Sequence, residues 1–123
     1  MMNLPGNLRY TPDHDWIDED GRVGITEYAQ DALGDVVFVE LPQIGRTLKA
    51  GEAFGVVESV KSVSDLLSPV NGTVVAVNTE LASQPELVNS DPYHAGWIIK
   101  LAPQFDSAEL MSADTYRLQI EGA

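Results

Sequence analysis

Lysine is scarce in this chain: Lys49, Lys61 and Lys100 are the only three in 123 residues. Lys61 stands at the polar tip of a segment that begins with Gly55-Val56-Val57 and ends with Leu66-Leu67-Ser68-Pro69-Val70. An exposed primary amine on a flexible four-carbon stem can be acylated and then serve as a spacer for the attached group. Glu58 and Asp65 flank it and could guide a ligase. A Schiff-base role would need a desolvated ammonium in a pocket, whereas flanking carboxylates favour the charged form. A third reading is a solvated charge on a turn, and by residue type and spacing alone that reading leads.

Other reactive constellations are missing. There is no cysteine, which excludes disulfides, thiolate metal sites and a thiol nucleophile. His14 and His94 are the only two histidines, too few for a metal cluster in a chain without cysteine. His14, near Trp16, reads as a packed structural residue. Tyr10, Trp16, Tyr93 and Trp97 read as core or edge packing. Gly24, Gly34, Gly55 and Gly72 read as turns or close backbone approaches, and no Gly-x-x-x-x-Gly-Lys-Ser phosphate loop is present.

Nineteen acidic residues against seven basic ones give a formal net charge of -12. Such a surface repels phosphate backbones and anionic lipid, so neither nucleic acid nor a membrane is an expected partner. It suits docking on basic protein surfaces, and it also keeps a protein soluble. No stretch has the length of a membrane span, and Met1–Tyr10 has neither the apolar run of a signal peptide nor the composition of a transit peptide. A cytoplasmic protein is expected.

The elements that must hold Lys61 are short. Turn signals recur at Asp20-Gly21, Leu41-Pro42, Ile44-Gly45, Ala50-Gly51, Ser68-Pro69, Asn71-Gly72 and Asp91-Pro92. Between them, runs rich in β-branched residues predict strands at 23–25, 36–41, 54–60, 63–67, 72–78 and 96–101. Thr26 predicts an N-cap for a helix over 27–33, ended by Gly34. Ser107 predicts the cap of a second helix from Ala108, within a helical tail at about 107–120. Gly34-Asp35-Val36-Val37-Phe38-Val39-Glu40 and Gly72-Thr73-Val74-Val75-Ala76-Val77-Asn78 share one pattern, which implies two similar half-sheets about an approximate two-fold axis.

The segment around Lys61 resembles the attachment hairpin of the biotinyl/lipoyl carrier superfamily, and within it the glycine cleavage H-protein family. Glu58-Ser59-Val60-Lys61, then Ser62-Val63-Ser64-Asp65 and Ser68-Pro69-x-x-Gly72, is similar to that family's signature. Biotin carriers typically place Met on both sides of the lysine, and 2-oxo acid dehydrogenase domains have Asp-Lys-Ala; neither occurs here. The resemblance continues through Tyr10–Trp16, Gly24–Thr26, Leu33–Asp35, Val39–Pro42, Asn89, Pro92-Tyr93, Gly96-Trp97 and Lys100. One departure is Asp15, where the family usually has Glu.

The resemblance implies a mostly β, barrel-sandwich hybrid fold: two small antiparallel sheets with quasi-two-fold symmetry, a short internal helix and a C-terminal helix. Residues 1–123 would form a single lipoyl-carrier domain, with its hairpin at about 55–70. Lipoate would be joined covalently to Lys61, within the Glu58, Ser59, Val60 and Asp65 surround. Asp13, Asp15 and Asp65 would lie near the loaded amine of the parked arm. The chain would be a carrier and not a catalyst. It would take an aminomethyl group from a pyridoxal-phosphate glycine decarboxylase to a tetrahydrofolate-dependent aminomethyltransferase, then present dihydrolipoamide to its dehydrogenase. A lipoate ligase or octanoyl transferase would load it, and a monomer is expected. A lipoyl relay to other enzymes and an unmodified interaction module are the competing readings.

Overall fold

The computed structural model describes residues 2–122. The strands are β1 Arg9–Tyr10, β2 Asp15–Ile17, β3 Arg22–Ile25, β4 Val36–Glu40, β5 Thr47–Leu48, β6 Ala53–Ser59, β7 Val63–Leu67, β8 Asn71–Val77 and β9 Ile99–Gln104. The helices are α1 Glu27–Leu33, α2 Leu87–Ser90 and α3 Ala113–Glu121, with 3-10 turns at Thr79–Ala82 and Phe105–Ser107. Six strands form one sheet in the order β1-β2-β3-β9-β8-β5, and three form the other, β4-β6-β7. All pairings are antiparallel. The expected mostly β architecture of two antiparallel sheets with helices is therefore present, with sheets of unequal size that do not close into a barrel.

Alternation explains the core. Ile17, Val23, Val74, Ile99 and Leu101 of the larger sheet are buried with Val36, Val39, Val57 and Leu66 of the smaller one. Burying a side chain of this size contributes about 1.5–3 kcal/mol. A second cluster joins Leu4, Leu8, Tyr10, Trp16, Tyr93 and Tyr116, which seats α3 on the N-terminal strands. The aromatic residues expected to pack do so.

The internal repeat has a structural counterpart. Between Val36 and Phe38 the β4–β6 register slips by one residue, and between Val74 and Ala76 the β8–β9 register does the same. Val37 and Val75, equivalent in the repeat, are thus both bulge residues, exposed at 49% and 46%. A bulge at the same place in each copy bends both strands alike. A third bulge, between Ala53 and Gly55 on β6, accompanies burial of Phe54.

Two expectations need correction. The last strand spans Ile99–Gln104 and not 96–101, because the side-chain amide of Asn78 takes the carbonyls of Ala95 (2.8 Å) and Trp97 (2.7 Å) out of any ladder. The tail helix begins at Ala113, with Ser112 as its cap, and not at Ala108. Ser107 is occupied elsewhere: its hydroxyl donates to the Gln104 carbonyl and accepts from the Asn71 amide at 2.8 Å. Met111 is meanwhile held extended by paired bonds with Tyr10 (2.7 and 2.8 Å). Among the described residues, no helix is long and apolar enough to cross a membrane.

Candidate functional site: the Lys61 hairpin

Antiparallel β6 and β7 pair from Ala53↔Leu67 to Glu58↔Val63, leaving Ser59-Val60-Lys61-Ser62 as the connection. The Ser59 amide donates to the Ser62 carbonyl at 2.8 Å, so Val60 and Lys61 are the two central residues of a tight turn. Two-residue hairpin loops usually need residues at positive φ. Among the described residues, the only non-glycine one with positive φ is His14, so the Lys61 turn is built without that conformation.

Ser59 supplies what glycine would otherwise provide. Its Oγ accepts from the amides of Lys61 (3.3 Å) and Ser62 (3.1 Å) and donates to the Ser62 carbonyl (3.3 Å). One donated and two accepted bonds use the whole capacity of a hydroxyl. The turn is tied down once more where the Val60 amide donates to the Asp35 carbonyl at 3.0 Å.

Lys61 itself is exposed, and among the described residues it forms no ion pair. Its stem runs over Gly34, where an added Cβ would lie 3.2 Å from Lys61 Cε. Glu58, Val60 and Asp65 are exposed around it, while Ser59 is buried. Glu58 sits in a cross-strand row with Phe38 and Val63, and Asp65 in the next row with Val56 and Glu40. The outer face of the small sheet therefore carries both acids and exposed apolar groups.

Gly34 ends α1, as expected, with φ 83°, and Thr26 caps the other end by accepting from the Ala29 amide at 3.2 Å. The Asp13–Asp15 turn lies at that capped end. The Thr26 amide donates to the His14 carbonyl (3.0 Å), and the Tyr116 hydroxyl bridges His14 Nδ1 and Thr26 Oγ1, each at 2.7 Å. α1 has seven residues, so roughly 10 Å of helix separates this turn from the Lys61 stem. His14 is half-buried against Tyr28 and Tyr116, and burial lowers its pKa against the opposing pull of Asp13. Burial likewise pushes the Tyr116 hydroxyl up to about 12.

The acids of this turn differ. Asp13 is exposed. Asp15 is only 5% exposed, within β2, where it accepts from the Thr11 hydroxyl at 3.5 Å. Burial, with Asp13 adding to it, raises its pKa well above 3.8 despite that hydroxyl. Residue types do not show this: Asp13-His14-Asp15 is a wholly polar triplet, and the burial of Asp15 comes from its pairing with Ile25 on β3. Among the described residues, no group of His, Cys, Asp and Glu could hold a metal ion.

Comparison with known proteins identifies the family. The Glycine cleavage H-protein family matches residues 8–122. The chain is 56% identical to a glycine cleavage system H protein of Mycobacterium avium, covering 98% of this chain and 94% of that one. It is 52% identical to one of Deinococcus deserti, covering 96% and 98%. A crystal structure of a glycine cleavage system H protein from Mycobacterium marinum aligns with a TM-score of 0.89 at 46% identity, over 98% of this chain and all of that one. Match, identity and fold all extend from end to end, and the chain accordingly belongs to the glycine cleavage H-protein family, a family of lipoyl carrier subunits and not of catalysts.

Proposed function

We propose that Lys61 is joined to lipoate through an amide and that this chain carries the group among the enzymes of glycine cleavage in the cytoplasm. The observation that carries the reading is an exposed, unpaired lysine on a turn whose backbone is held by Ser59 and Asp35. Such an amine is open to a ligase or octanoyl transferase, and the missing side chain at Gly34 leaves room for its stem. The bound lipoyl group supplies disulfide and dithiol chemistry that no residue of a cysteine-free chain can supply.

The protein's own residues place and protect that group. The turn fixes its root, and tethering raises its effective concentration at each partner. The acidic, partly apolar outer face of the small sheet orients encounters with basic partner surfaces. On this reading an aminomethyl group passes from the pyridoxal-phosphate glycine decarboxylase to the aminomethyltransferase, and a dihydrolipoamide dehydrogenase restores the disulfide. On the same reading Asp13, Asp15 and Asp65 would lie near the loaded amine. Asp13 and Asp65 are exposed side chains, while Asp15 is buried, and a cation against it would favour its charged form.

The test is the intact mass of the protein from its own host, with peptide mapping. One lipoyl adduct, located at Lys61 and lost in Lys61→Arg but kept in Lys49→Arg, is the expected result. A biotin adduct, or no adduct in lipoate-replete cells, would overturn the reading.

A further inference from the structure

We infer that Asn89, on α2, is a positioning residue for Lys61: it sets the stance of the lysine turn through the Gly34-Asp35-Val36 backbone. Asn89 Nδ2 donates to the Gly34 carbonyl at 2.9 Å, and Asn89 Oδ1 accepts from the Val36 amide at 2.8 Å. Its second N–H goes to Gln30 Oε1 at 2.9 Å. One side chain thus grips two successive peptide groups, one on each side of Asp35. An amide N–H and the C=O of the same trans peptide point in opposite directions. The peptide whose N–H is held by Asn89 is therefore the one whose Asp35 carbonyl receives the Val60 amide at 3.0 Å. Asn89 and the lysine turn hold the two ends of a single planar group.

The grip is additional to what α1 needs. The Gly34 amide already closes that helix on the Gln30 carbonyl at 3.1 Å. What Asn89 adds is a fixed orientation for Asp35 and a fixed position for Gly34, the residue under the Lys61 stem. Asn89 is itself anchored, because its neighbour Val88 is fully buried. Gly96 also lies so close to α2 that a Cβ there would meet the Leu87 and Asp91 carbonyls. The amide orientation is unambiguous: the Val36 N–H demands an oxygen and the Gly34 carbonyl demands the NH2.

The consequence for lipoylation rests on the reading of Lys61 as the attachment point; the effect on the turn does not. The first measurement is amide exchange by NMR on the wild-type chain and Asn89→Ala. Exchange at Val60 rises tenfold or more in the variant, while Ile99 and Leu101 in the core keep their rates. Asn89→Asp, which retains an acceptor for Val36 and loses both donors, falls between the two and serves if Asn89→Ala does not fold. Equal Val60 exchange in the folded chains overturns the inference.

The second measurement is acylation by a lipoate ligase with lipoate and ATP. Loss of a fixed root for the amine lowers kcat by about tenfold with little change in KM, since displacing a reacting group by an ångström can cost up to ~100-fold. Val60→Pro removes the N–H that meets Asp35 while suiting the second position of a tight turn. In that background Asn89→Ala has no further effect; losses that multiply overturn the coupling. A wild-type chain that takes no lipoate at Lys61 defeats the attachment reading, and the exchange experiment still judges Asn89.

Discussion

Two turns of this protein carry a lysine, and they are built in opposite ways. The Lys49–Glu52 turn uses Gly51 at φ 84°. Glu52 accepts from the Lys49 amide at 3.0 Å and pairs with Arg46 at 3.1 Å. The Ser59–Ser62 turn has no glycine, no carboxylate among the groups that hold it, and a neutral hydroxyl at its centre. The Lys49 turn is held through a carboxylate and its ion pair; the Lys61 turn is held by a hydroxyl and a backbone carbonyl, with no carboxylate among its hydrogen bonds. Exposure alone, common to both lysines, does not distinguish a tether. What differs is how each root is held: by uncharged groups at Lys61, and through Glu52 and its ion pair at Lys49.

The sharpest test of that contrast is a pair of glycine substitutions. Gly34→Ala meets both a backbone at φ 83°, ψ -164° and the Lys61 stem, at a cost of order 1–3 kcal/mol. Gly51→Ala has open space for its Cβ and carries only the left-handed penalty of about 1 kcal/mol. Denaturant unfolding should rank them in that order, and only Gly34→Ala should slow acylation of Lys61. Equal slowing by both would remove the distinction between the turns.

A smaller effect is expected for Ser59→Ala, about 1 kcal/mol by the same assay, as for the loss of a helix cap. Its diagnostic is local: the Lys61 and Ser62 amides exchange faster, and the Lys49 turn is untouched. The smallest effect concerns pH. The Lys49 amide and then Arg46 hold the Glu52 carboxyl below its ordinary 4.5. A depressed carboxyl contributes stability that is fully present above its unfolded pKa and is lost as pH falls through the folded value. The Tm difference between wild type and Glu52→Gln should thus shrink as pH drops below 4.5. The Lys61 turn, held by uncharged groups, should show no corresponding loss at Ser59→Ala.

Much of the hairpin was legible in the sequence because its signals are local. Scarce lysine, apolar runs on both sides, Thr26 before α1 and Gly34 after it need no knowledge of the rest of the chain. The strands β1, β2 and β5 were invisible, since two or three residues cannot display a period of two. Ser107 and Ser112 are equally good caps in isolation. The choice between them was made by the distant pairing of Met111 with Tyr10, which keeps the chain extended until residue 112. The depth of Asp15 is hidden for a similar reason, because its burial follows from pairing with Ile25 on β3. In the sequence Asn89 is only part of a motif; its contact with Val36 spans 53 residues.

The glycine-free turn under Lys61 has a consequence for every enzyme that handles the arm. A loop without glycine, pinned at Ser59 and at Asp35, has little freedom to reshape itself for each visitor. On the proposed reading, all adjustment must then come from the rotors of the lysyl-lipoyl chain and from the visitors themselves. Unrelated active-site mouths would be obliged to accept one common outline, as different locks cut for the same key blank. Changes to that outline should weaken all of them together, whereas changes elsewhere on the surface could be felt by one alone.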